Sequence, residues 1–217
     1  MWEKLFLFKE ETDPMVVPPL KLCEFPFASG SYRPFCQVAL YAEENKGVFI
    51  SFKAFYEKPF INNDSLLGGS ALTVSMGNEN GSFVFTFSPD GRSELKSNKA
   101  SSVSPTVLKT ALGGDQQGEY FISGVLFPYS FLKETLGIEH LKEGNKLNLN
   151  CFYSVLENDK GFPTHFASVF NNPEGTILIF LSSSSLLRAR VKERTKDFVA
   201  PYVAIYGTGW NADRDPS

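Results

Sequence analysis

Apolar and polar residues alternate with a period of two through the middle of the chain. In Val48-Phe49-Ile50-Ser51-Phe52-Lys53-Ala54 every even position is apolar, and in Phe83-Val84-Phe85-Thr86-Phe87-Ser88 every odd position is phenylalanine. That is the spacing of a strand with one buried face. The pattern predicts strands over 35–42, 48–58, 71–76, 83–88, 120–127, 146–156, 166–170 and 176–181. Within 146–156 it places Leu147, Leu149, Cys151, Tyr153 and Val155 on one face. A turn over 43–47 joins the first two runs into a hairpin, and Asn78-Glu79-Asn80-Gly81 makes neighbours of the next two. Ser88-Pro89-Asp90-Gly91-Arg92 closes the fourth run, with Asp90 as its turn residue. Two short helices are expected, over 105–112, ended by Gly113-Gly114, and over 128–136, started by Pro128 and stopped by Gly137. The fold class is all-β, an antiparallel β-sandwich with one or two short helices.

Composition narrows this picture. The 217 residues are 42% hydrophobic and 21% charged and include 21 phenylalanines, which suits one aromatic-rich core between two sheets and a single domain over 1–217. A net charge of -3 makes no field that would gather nucleic acid or an anionic membrane, so neither partner is expected. No run approaches the length of a membrane span, and the first eleven residues have too short an apolar stretch for a secretory signal, so a cytoplasmic location is expected. Cys23, Cys36 and Cys151 have no metal-ligand spacing and are expected as reduced thiols packed like small hydrophobes. No cofactor or metal is implied.

Around the strands lie two other segments. Residues 12–34 hold Pro14, Pro18, Pro19, Pro26 and Pro34 and read as a lead-in that wraps over the sheet surface. Residues 182–217 form a C-terminal extension that carries a basic run and then the apolar stretch Phe198-Val199-Ala200-Pro201-Tyr202-Val203-Ala204-Ile205-Tyr206. So much apolar surface should dock on its own sandwich or form a homo-oligomer contact.

Candidate chemistry is sparse. The sequence holds no nucleophile elbow, zinc-protease helix, Walker loop or dinucleotide fingerprint. Gly68-Gly69-Ser70 and Gly113-Gly114-Asp115 read as loops rather than phosphate cradles. His165 is a structural residue or a ligand contact; His140 is an exposed loop residue. Glu57 and Asp64 are the one candidate carboxylate pair. Residues able to line a single concave face are Tyr32, Arg33, Tyr56, Phe60, Asp64, Arg92, Asn150, Tyr153 and His165, where rings would stack on a sugar and fixed donors and acceptors would take its hydroxyls; core packing accounts for the Tyr and Phe residues equally well.

The order of segments over about 35–181 resembles the family 9 carbohydrate-binding modules and their DOMON-like relatives. The likeness is carried by Val38-Ala39-Leu40-Tyr41 with Gly47-Val48-Phe49-Ile50-Ser51-Phe52, by Asp64-Ser65, by Phe85-Thr86-Phe87-Ser88-Pro89-Asp90-Gly91 and by the run from Gly118 to Pro128. Leu149-Asn150-Cys151-Phe152-Tyr153 and Thr164-His165-Phe166-Ala167-Ser168 complete it. The resemblance implies a β-sandwich that holds a saccharide between two tryptophans. Here the first of those positions is Ile61, the acidic residue expected three past Asp64 is Leu67, and Phe170-Asn171-Asn172-Pro173-Glu174-Gly175 runs on without the second tryptophan. The leading expectation is therefore a non-catalytic domain that recognises a saccharide by an aromatic and polar sheet face. The alternatives are an interaction or structural sandwich that has lost sugar binding and, third, a small hydrolase with His165 against a carboxylate.

Overall fold

In a computed structural model of the chain, the structure describes residues 3–9, 11–13, 17–22, 35–55, 59, 61–66, 68–155, 165–168 and 176–181. The strands are β1 (Glu3–Phe8), β2 (Leu20–Lys21), β3 (Cys36–Glu43), β4 (Gly47–Ala54), β5 (Ala71–Asn78), β6 (Gly81–Phe87), β7 (Ser93–Ser97), β8 (Thr106–Asp115), β9 (Gly118–Pro128), β10 (Lys146–Val155), β11 (His165–Ser168) and β12 (Thr176–Leu181), with one helix, α1 (Tyr129–Leu136). They form one hydrogen-bonded path, β7-β6-β5-β10-β12-β1-β3-β4-β9-β8, with β11 beside β10 and β2 beside β3. β1 runs parallel to both of its neighbours, and every other pairing is antiparallel.

Two leaves of this path stack, so that β6 faces β4 and β9. Side-chain alternation turns Phe83, Phe85 and Phe87 of β6 inward, all buried, as their spacing predicted. They meet rings of the other leaf. Phe52 lies 6.0 Å from Phe87, Phe127 lies 5.1 Å from Phe83 and 5.7 Å from Phe85, and Phe121 lies 6.0 Å from Tyr153. Each such ring removed from water contributes about 1.5–3 kcal/mol, which makes this layer the main source of stability. Cys36 and Cys151 are unbridged and sit in the same core, where burial pushes both thiols up.

α1 closes one end. It starts after Pro128 and stops at Gly137, whose left-handed φ of 70° lets the Gly137 and Ile138 N–H groups return to the Lys133 and Leu132 carbonyls. Its Phe131 ring packs 5.0 Å from Phe83. The stretch 105–112 is not a helix; it belongs to β8, at the sheet edge. A β-bulge between Leu108 and Ala111 inserts an extra residue and shifts the alternation, so that Val107, Leu108, Ala111 and Leu112 fall at helix-like spacings while the backbone stays extended.

The described part of the lead-in runs beside β3, pairing with it through β2 and burying Leu22 in the main core. The Thr12 N–H donates to Glu43 Oε1 at 2.9 Å, Val17 packs with Phe8, Tyr41 and Phe49 in a second small cluster, and Leu20 pairs with Val38. Cys23 and the whole extension 182–217, with its expected docking, fall outside the described residues. No helix among the described residues is long and apolar enough to cross a membrane.

Candidate functional site

The end of the sandwich opposite α1 is where β4 and β6 finish and β5 begins, and its loops are built from short polar braces. Asn62 Oδ1 accepts the N–H groups of Asp64 and Ser65 at 2.9 and 3.2 Å, while its Nδ2 donates to the Gly68 carbonyl at 3.2 Å. A Cβ on Gly68 would come within 2.6 Å of that amide. Arg92 holds this loop against the β6–β7 turn. Its Nε donates to Asp90 Oδ2 at 2.8 Å, and its terminal nitrogens donate to the carbonyls of Asn62 and Asn63 at 2.8 and 3.3 Å. Burial alone would raise the Asp90 carboxyl, but the Arg92 backbone N–H and guanidinium and the Ser88 hydroxyl outweigh it and hold the group below its ordinary value.

Across the outer face of the neighbouring leaf runs a row of rings. Phe35, just before β3, and Phe55, just after β4, stand side by side, with the Phe55 N–H donating to the Phe35 carbonyl at 3.0 Å and ring centroids 5.2 Å apart. Tyr120 follows on β9, one step beyond the Ala54–Phe121 pair, 5.7 Å from Phe55. Its cross-strand neighbour on β8 is Gly113, where a Cβ would come within 2.7 Å of the Tyr120 ring, so glycine is what lets the ring lie flat there. Lys53 Nζ lies 3.9 Å from the Tyr120 centroid and 4.8 Å from that of Phe55, and pairs with Asp115 Oδ2 at 2.9 Å. All three rings are half-buried. The ring planes are inclined by 38° between Phe35 and Phe55 and by 59° between Phe55 and Tyr120, so together they make a tilted apolar row with the Lys53 ammonium over two of its rings and the Asp115 carboxylate paired to it.

Solved structures match this architecture. A protein from Bacteroides uniformis proposed to bind carbohydrate aligns over 83% of this chain and 100% of its own, with a TM-score of 0.60 and 12% identity. A family 9 carbohydrate-binding module from Caldicellulosiruptor kristjanssonii, solved with cellotriose, aligns over 83% of this chain and 95% of its own, with a TM-score of 0.59 and 8% identity. The fold is like that of the family 9 carbohydrate-binding modules. The same module solved with glucose gives a TM-score of 0.59 and 8% identity over 83% of this chain and 97% of its own. No family model and no curated protein matches the sequence.

On this module-like frame the expected site residues separate. Asp64 is exposed on the braced loop, and Arg92 beside it is committed to holding that loop. Asn150 and Tyr153 do not share an open face. Three residues apart on one strand, they point to opposite sides, because alternation has period two. Both are 0% exposed: Tyr153 packs in the core against Phe121, and Asn150 Oδ1 accepts the Cys151 N–H at 2.9 Å. The backbone of His165 pairs opposite Val155 at the β10–β11 ladder; its side chain lies outside the described residues, as do Tyr32, Arg33, Tyr56, Glu57, Phe60 and Leu67. Ile61, where the resemblance expects a tryptophan, is half-buried. No group of three or more metal-ligating side chains occurs among the described residues. Sequence reasoning missed Phe35, Lys53, Phe55, Asp115 and Tyr120. The Phe35–Phe55 pair could have been found by counting the hairpin register back from the turn at 43–47, because pairing there is residue for residue down to Cys36 and Ala54.

Proposed function

We propose that this chain is a non-catalytic carbohydrate-recognition domain whose saccharide lies on the Phe35–Phe55–Tyr120 row. The observation that carries the reading is the row itself, three half-exposed rings side by side, with the Lys53 ammonium over Phe55 and Tyr120 and paired with Asp115. Flat rings accept the apolar face of a pyranose, and a paired ammonium and carboxylate offer a donor and acceptors to its hydroxyls. The likeness of the fold to modules solved with cellotriose and glucose supports the same reading.

Calorimetric titration with soluble oligosaccharides tests it, with wild-type protein beside Tyr120→Ala. Removing one stacking ring is expected to weaken binding by about 1–2 kcal/mol, roughly tenfold. Binding that is unchanged in Tyr120→Ala moves the saccharide off this row. Absence of binding by the wild type at millimolar sugar favours an interaction or structural sandwich, the reading motivated by Ile61 in place of the clamp tryptophan.

A further inference from the structure

The ring row is covered by a side chain of its own sheet. Gly113 lies so close against Tyr120 that a Cβ there would come within 2.7 Å of ring atoms, so backbone fills one face of that ring. Lys53 Nζ stands 3.9 Å from the Tyr120 centroid, closer than any approach to the ring edge permits, and 4.8 Å from that of Phe55. Lys53 starts on β4 and Asp115 ends β8, with β9 and its Tyr120 between them, and the ammonium spans that gap to reach Asp115 Oδ2 at 2.9 Å. Asp115 is itself fixed, since its Oδ1 accepts the Gln117 N–H at 2.9 Å. The Lys53 side chain is 18% exposed and that of Asp115 27%, so solvent screens the fastening only in part. Lys53 is a strap drawn over Tyr120 and tied beyond it.

We infer that Lys53 is a specificity-determining residue of this site: a saccharide stacks on Tyr120 and Phe55 only by displacing the Lys53 ammonium from them. This rests on the saccharide reading and adds to it what the free site holds. A ring face cannot carry a pyranose and an ammonium at once, because both need contact with the same carbons. The lysine stem is flexible, so the ammonium can swing to the rim of the row, where it needs new acceptors. A sugar supplies both replacements, C–H groups for the rings and hydroxyl oxygens for the ammonium. A wholly apolar ligand supplies only the first, so the row takes sugars in preference to apolar rings and chains. The affinity for sugar is then the intrinsic one reduced by the fraction of time that the strap is open.

Side-chain NMR and calorimetry test this together. Protons over an aromatic face resonate upfield. The Lys53 ε-methylene signal, assigned by its loss in Lys53→Ala, should therefore lie upfield in the free wild type and return toward the ordinary lysine position in Tyr120→Leu. Titration with soluble oligosaccharides, cellotriose among them, should move it the same way in step with binding. Asp115→Asn keeps an oxygen for the Gln117 N–H but unties the strap, and it should bind the sugar about two- to fivefold more tightly, the range an ion pair of this kind can supply. An ordinary Lys53 signal in the free protein, a signal still upfield at saturating sugar, or an Asp115→Asn affinity no higher than that of wild type would each overturn the inference without touching the saccharide reading. Absence of sugar binding by both proteins, with the upfield signal present in the wild type, would remove that reading and this inference with it.

Discussion

The sandwich has two long sides, and they are closed by different physics. Along one, β1 lies between β12 and β3 and joins the leaves with continuous main-chain bonds. Along the other, β7 and β8 end the path, and the rim is held by polar side chains: Thr110 Oγ1 donates to the Pro89 carbonyl at 2.6 Å, Arg92 reaches Asn62, and Glu134 of α1 gathers the Ser101 hydroxyl and the N–H and hydroxyl of Ser102 at 2.6–2.7 Å. The seam needs only apolar residues in extended backbone, whereas the rim needs particular donors and acceptors. Damage to the seam should therefore be global, and damage to the rim local.

The sharpest way to break this contrast is at the seam. Leu5 is fully buried in β1, and Leu5→Ala is expected to lower stability by about 2–5 kcal/mol through lost transfer energy and a residual cavity, read as a lower urea midpoint. An effect under 1 kcal/mol would show that the seam is not the stronger side. At the rim, the Arg92 side chain is 39% exposed, so Arg92→Ala should cost less than about 1 kcal/mol overall. Its signature is local: proteolysis and amide exchange around Asn63 and Asp64 should accelerate while the global midpoint hardly moves. The smallest effect concerns pH. Hydrogen bonds from Ser101 and then Ser102 hold the Glu134 carboxyl down at about 2. A carboxyl with a depressed folded-state pKa adds stability that is complete above its ordinary value near 4.5 and is lost as pH falls toward 2. The stability difference between wild type and Glu134→Gln should therefore be constant above that ordinary value and shrink below it. A difference that stays flat through this window would refute the latch.

What could be read ahead of the structure follows the same division. The inward turn of Phe83, Phe85 and Phe87 was legible because a half-buried strand leaves a period-two trace. β1 was not, since Leu5, Leu7 and Phe8 are all buried and a strand covered on both faces reads as a plain apolar run. β7 was hidden by its charges, and β8 by the bulge that disguises it as a helix. At the candidate site, the separation of Asn150 from Tyr153 was available from their odd spacing alone. The ring row joins three strands, and lateral register beyond a single hairpin is set by how the leaves assemble, which no local window contains.

The place of β1 also has a history in time. Its residues leave the ribosome before those of β12, and more than a hundred and fifty residues of chain separate the two strands. At about 5–20 residues per second, elongation takes roughly ten seconds or longer between making one edge of the seam and making the other. Through that interval Leu5, Leu7 and Phe8 belong to a strand with an open edge, and the contact that completes it is among the most non-local in the chain, which slows folding. Slower synthesis or a lower growth temperature, which give chaperones longer to shield that edge, should raise the soluble yield of this chain more than any substitution at its rim.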